Sequence, residues 1–231
     1  MTNRSSEISL GKAALIAGIG ILIMVLTVPF AEFQIFPNLI DYKNPEVTAN
    51  KILNNQSLFI VGIFLNFITI ICDIIVAWAL YIFLKPINKS LSLLVAWFRL
   101  IYAGIYLIAL LNLIKVLNLL TADKYFVATD QNQIYDQVLF FMRSFGNEMS
   151  FGLILFGIYL GILGYLVLRS NYIPKILGWL LVLAGIGYFI SYSGKYLFPN
   201  INTDLLMITF FGELIFMLWL LIKGRKIQEQ Y

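Results

Sequence analysis

Residues 57–84 read SLFIVGIFLNFITIICDIIVAWALYIFL, and this stretch decides the fold. Its one charge is Asp73. It is longer than the roughly 20 apolar residues needed to cross a bilayer about 30 Å thick. Working outward, similar stretches are found on both sides. The sequence predicts membrane spans at 13–31, 57–84, 91–120, 138–168, 176–197 and 205–222. The expected fold is therefore all-α, a polytopic membrane helix bundle with six transmembrane helices. It is expected to form a single transmembrane domain over residues 1–231.

Composition agrees with this reading. Hydrophobic residues make up 61% of the chain and charged residues 12%, against about a half and a quarter in soluble domains. The six spans leave only short connections, so no separate soluble domain is expected. Residues 13–31 follow Arg4 and Lys12, a pattern shared with signal peptides. The run is long for one and no A-x-A-like site follows, so a retained helix is expected. Pro29 and Pro37 are read as its outer end, and residues 32–56 as a polar loop. Within that loop, Asn44-Pro45-Glu46 has the cap, first-turn proline and acid of a helix start. A short surface helix over residues 45–53 is expected there. Residues 121–136 read as an acidic loop.

Orientation follows from the basic residues outside the spans. Arg4, Lys12, Lys85, Lys89, Arg169, Lys175, Lys223, Arg225 and Lys226 fall on one side, and Lys43, Lys51, Lys124 and Lys195 on the other. Nine against four predicts both termini in the cytoplasm. The expected location is the bacterial cytoplasmic (inner) membrane, with multiple passes. The net charge of +4 reports this bias. No basic run is interleaved with aromatics in a polar setting, so no nucleic acid is expected as a partner.

The charges inside the spans carry the most information, because a lone charge at bilayer depth costs about 2.5–3.5 kcal/mol unless paired or hydrated. Asp73 and Arg99 lie on consecutive antiparallel helices, on the order of 15–18 Å from the turn that joins them. They are expected to pair. Asn66 shares a helical face with Asp73, and Tyr102 and Tyr106 share one with Arg99. Such a stripe is too polar to face lipid. Glu148 and Glu213 lie at similar depth in spans running the same way. Two carboxyls that meet in a low-dielectric interior share one proton. The alternative partners of Glu148 are Lys115 and Arg143. Lys115, Arg143 and Lys195 are near the outer interface, where long side chains snorkel, and Glu32 is read as interfacial with them. Gly157 with Gly161, and Ala14 with Gly18, have the small-xxx-small spacing that lets helices approach in lipid. Gly178, Ala184, Gly185 and Gly187 thin the fifth span in the same way.

Several chemistries lack their residues. There is no histidine, which excludes His-ligated haem, His-containing zinc sites and the usual neutral-pH proton shuttle. The single cysteine, Cys72, can form no internal disulfide and no thiolate cluster. No Gly-rich phosphate loop, H-E-x-x-H or Ser-His-Asp set is present. Neither metal nor cofactor is expected.

The segments CDIIVAWALY (72–81), LKPINKSL (84–91) and FRL (98–100) resemble a bacterial membrane family catalogued as domain of unknown function 4386. GYLVLRS (164–170) and IPKILG (173–178) are similar to that family's second conserved block, and residues 14–33 and 188–199 also fit. The acidic loop near 121–136 is the least family-like part. The resemblance implies a six-helix inner-membrane protein and implies no activity. Its recurring Asp and Arg match Asp73 and Arg99.

Three functions fit these residues. The first is a protein that binds or transports a small molecule in a polar intramembrane cavity lined by Asn66, Asp73, Arg99, Tyr102, Tyr106, Glu148 and Glu213. The second is a structural or accessory protein whose buried charges only staple helices. The third is an intramembrane enzyme using Glu148 or Glu213 as acid or base, which the sequence favours least and for which it names no reaction. The expected partners are the lipid bilayer, a small-molecule ligand and a second copy of the chain.

Overall fold

A computed structural model describes residues 8–121, 130–198 and 209–227. Expectations for Arg4, the loop residues 122–129, the end of the family-like stretch at 199 and the start of the sixth span at 205–208 lie outside the described residues. The fold is all-helical, with no strand among the described residues. The elements are α1 (Leu10–Pro29), a π-helical turn (Phe30–Ile35), α2 (Phe36–Leu39), α3 (Pro45–Asn54), α4 (Gln56–Leu84), α5 (Lys89–Thr121), α6 (Gln131–Arg169), α7 (Lys175–Leu197) and α8 (Phe211–Ile222). A short 3-10 turn, Gly224–Lys226, follows α8.

Five helical runs are long and apolar enough to cross a membrane: Leu10–Leu39, α4, α5, α6 and α7. Their outward surfaces carry large apolar side chains such as Phe64, Trp97 and Ile108, each more than half exposed. In water such a surface drives aggregation. Against lipid it is the ordinary outer face. At 39 residues, α6 rises about 58 Å, almost twice the hydrocarbon thickness. Its polar first turns, with Asn132, Gln133 and Asp136, extend the apolar part toward water.

Within the described part of the sixth span, α8 is only 12 residues long. Two expected loops also contain helix. Residues 131–136 belong to α6. Residues 32–39, read as the start of a polar loop, continue the first run, so Pro29 and Pro37 do not end it. Proline removes an i→i−4 hydrogen bond and clashes with the carbonyl it would have met. A wider π turn between the two prolines absorbs that disruption. Phe36 N–H reaches Ala31 O, the i→i−5 pattern of such a turn.

Helix ends follow the local sequence. The Asn44 side chain caps α3 by accepting from Val47 N–H at 3.1 Å. Asn88 caps α5 by accepting from Leu91 N–H at 3.0 Å. Between α6 and α7, the Ser170 hydroxyl accepts from Tyr172 and Ile173 N–H, both at 3.2 Å, and Pro174 precedes the first turn of α7. The Tyr172 hydroxyl donates to Phe83 O at 2.6 Å. Burial pushes the Tyr172 phenol up from its ordinary range.

The described residues divide into two compact units, one within Met1–Ile23, Cys72–Ala103 and Phe151–Tyr231, the other within Met24–Ile71 and Gly104–Ser150. The first unit buries Leu80, Phe83, Leu84, Leu160, Leu163 and Phe216. Its α6 and α7 pack backbone to backbone. A Cβ on Gly157 would lie 2.8 Å from Gly185 O and Phe189 N, and one on Gly185 would lie 2.7 Å from Gly157 O and Gly161 N. The second unit buries Ile35, Phe59, Leu113 and Met142. There Phe36 sets its ring edge-on to Phe59 and Phe145, with centroids 6.0 Å apart in both pairs.

Candidate functional site

The site in the first unit is assembled around Arg99 of α5. Its guanidinium is 1% exposed. Nη2 lies 2.8 Å from Asp73 Oδ1 on α4, the contact that equal depth on a helical hairpin favours. Nη1 donates to the Tyr159 hydroxyl on α6 at 2.6 Å. The same nitrogen is 3.9 Å from Glu213 Oε1 on α8. The guanidinium also lies over the rings of Phe156 and Tyr159, at 5.5 and 5.0 Å from their centroids. Tyr102 and Tyr188 pack on Phe156 from α5 and α7, with centroids 4.9 and 5.5 Å away. Five helices thus contribute to one charged, aromatic-walled cluster.

The electrostatics of this cluster are unequal. Asp73 is almost as buried as Arg99 and touches it directly, so the two compensate each other's desolvation. Glu213 is the more exposed carboxyl, with its side chain 16% accessible, and it stands beyond hydrogen-bond distance. One cation therefore faces two acids, one held tightly and one held loosely.

Tyr159 was not among the residues singled out by sequence reasoning. In a chain with 13 Tyr and 19 Phe, one more aromatic in an apolar run does not stand out. Tyr159→Phe is expected to destabilise the protein by about 1.5–3 kcal/mol, the worth of a hydrogen bond to a charged group. Unfolding in detergent micelles measures it.

The second unit holds the remaining polar residues in two smaller networks. In one, Asn66 Nδ2 donates to Gly62 O at 3.0 Å and to Glu32 Oε1 at 3.4 Å, and the Tyr106 hydroxyl donates to Asn66 Oδ1. Glu32, read as interfacial, sits inside the first helical run. In the other, Asn112 Nδ2 donates to Glu148 Oε2 at 2.8 Å and Lys115 Nζ donates to Asn112 Oδ1 at 3.3 Å. Glu148 is thus tied to Lys115 through Asn112, a residue sequence reasoning passed over. Arg143 donates to Tyr42 O at 2.9 Å. Glu148 and Glu213, considered as a carboxyl pair, make these contacts in separate units.

Five long apolar helices, four of which bring residues to a buried charged cluster, mark a multi-pass membrane protein. The chain belongs to the family described as Domain of unknown function (DUF4386), which matches residues 16–224. It is 39% identical over 170 residues to an uncharacterized protein of Archaeoglobus fulgidus, a match covering 74% of this chain and 86% of that relative. That relative is archaeal. No solved structure matches.

Proposed function

We propose that this chain binds a small polar molecule carrying an acidic group at the Arg99 cluster and moves it across a prokaryotic cytoplasmic membrane. The observation behind this reading is the uneven grip on Arg99. Asp73 neutralises the guanidinium at 2.8 Å, while Glu213 stands off at 3.9 Å and is the more accessible. A ligand carboxylate displaces Glu213 from Nη1 without removing the compensation from Asp73. The freed Glu213 then receives a proton or a cationic group of the same ligand. Phe156, Tyr159 and Tyr188 supply apolar walls.

In this reading residues 1–231 form one transmembrane domain. Residues 205–222 complete a sixth span and both termini lie in the cytoplasm. The apolar character of α8, the nine-to-four distribution of basic residues and a family match running through both units support it. A second copy of the chain is a proposed partner.

The reading is tested on purified protein with Glu213→Gln, using thermal shift against amino acids, small monocarboxylates and small dicarboxylates. The wild type is expected to gain stability with one of these classes. Glu213→Gln is expected to fold normally and to alter or lose that gain. No gain in the wild type, or an identical gain in the variant, contradicts the proposal. It favours instead the staple reading, in which the fully buried 2.8 Å Asp73–Arg99 pair serves only to join α4 to α5.

A further inference from the structure

Glu32 lies in the second unit, in the π turn between Pro29 and Pro37. It is seven residues before the end of the Leu10–Leu39 run, on the order of 10 Å inside it. Its partner Asn66 lies ten residues into α4, on the order of 15 Å from that helix's start. This carboxyl is therefore inside a helical run long and apolar enough to cross a membrane. Both ion pairs among the described residues belong to Arg99, and no Lys or Arg nitrogen among them lies within 4.0 Å of Glu32. Its hydrogen-bond partner is an amide, Asn66 Nδ2 at 3.4 Å. An ionised carboxyl at such depth without a cation is expensive, and the usual resolution is to take up a proton.

We propose that Glu32 is a reversible proton-binding site, held by Asn66 and Tyr106 and independent of the Arg99 cluster. The neighbouring amide suits both protonation states. Tyr106 donates to Asn66 Oδ1 and Gly62 O accepts from Nδ2, so the amide's orientation is set. Its N–H therefore faces Glu32. An ionised carboxyl accepts that N–H, and a protonated one still accepts it through its carbonyl oxygen. An alkali cation fits less well, because the Asn66 group turned toward Glu32 is a donor. Pro37 has no N–H, so the carbonyl it would have reached, Glu32 O in the wide register or Phe33 O in the α register, loses that donor.

Tyr42 follows α2 outside the helical run, and Arg143 on α6 donates to its carbonyl. Burial first, and then the charge of Glu32, hold the Tyr42 phenol above its ordinary range, while Arg143 opposes them. The titratable or charged groups facing Glu32 are Tyr106 of α5 through Asn66, Tyr42 of the α2–α3 link, and Arg143 of α6 beyond it.

Infrared difference spectroscopy on the full chain in lipid, titrated with pH, tests the site. The wild type is expected to show a protonated-carboxyl stretch at neutral pH that disappears reversibly on alkalinisation. Glu32→Gln should remove that band, and Glu213→Gln should leave it in place. Glu32→Asp, which keeps a carboxyl should the amide fail to fold, should move the band to the position of an aspartic acid. A band unchanged in Glu32→Gln, or unmoved in Glu32→Asp, overturns the proposal. So does a wild type with no titrating carboxyl band.

Discussion

Arg99→Ala is expected to lower stability by about 3–5 kcal/mol, the range for removing one partner of a buried ion pair. The size of the effect comes from what is left behind. Asp73 is 1% exposed and loses the guanidinium at 2.8 Å. The Tyr159 hydroxyl loses the donor it accepts from at 2.6 Å. The rings of Phe156 and Tyr159 lose the cation lying over them. A protein domain is stable by only about 5–15 kcal/mol, so most of the chain should fail to appear as folded monodisperse material in detergent. Arg99→Lys should recover only part of the loss, because a point charge cannot reach Asp73, Tyr159 and Glu213 with one planar fork. Size-exclusion yield and melting temperature measure both variants.

The second large effect is expected at Gly157. A Cβ there meets backbone atoms of Gly185 and Phe189 at 2.8 Å, and backbone does not move aside as a flexible side chain does. Gly157→Leu must push α6 and α7 apart. The resulting loss should meet or exceed the roughly 1–3 kcal/mol of ordinary overpacking. The control is four residues along the same helix. A Cβ on Gly161 meets nothing within 4 Å, so Gly161→Ala should leave the melting temperature unchanged or raise it slightly through better helix propensity. Thermal unfolding of the two variants side by side separates helix contact from a general intolerance of side chains.

That contrast also shows what a sequence can and cannot carry. Gly157 and Gly161 are equivalent as a small-xxx-small motif, yet Gly157 needs the absence of a Cβ and Gly161 does not. Spacing reports a shared face but not which way each Cα–Cβ bond points across the interface. The Asp73–Arg99 contact was legible because a tight hairpin fixes depth on both helices, and depth alone brings the two charges together. Glu148 was less legible. Its tie to Lys115 runs through Asn112, and an amide in the apolar run announces itself far less than a charge.

Glu32 was misplaced for a more basic reason. Two prolines in one short stretch read as a helix end, since each removes a hydrogen bond. The chain instead widens one turn and continues, which carries Glu32 from an expected interface into the span. Tyr159 was illegible because its role depends on a partner sixty residues away, and only the assembled helices show that its hydroxyl reaches Arg99.

Arg99 and Asp73 act as one buried unit. A double-mutant cycle with Asp73→Asn and Arg99→Gln, read as unfolding free energy in micelles, measures that directly. A double variant no less stable than the worse single variant, with a coupling of at least about 1 kcal/mol, is the predicted result. Single-variant losses that simply add would contradict it, since the two charges would then not be satisfying each other.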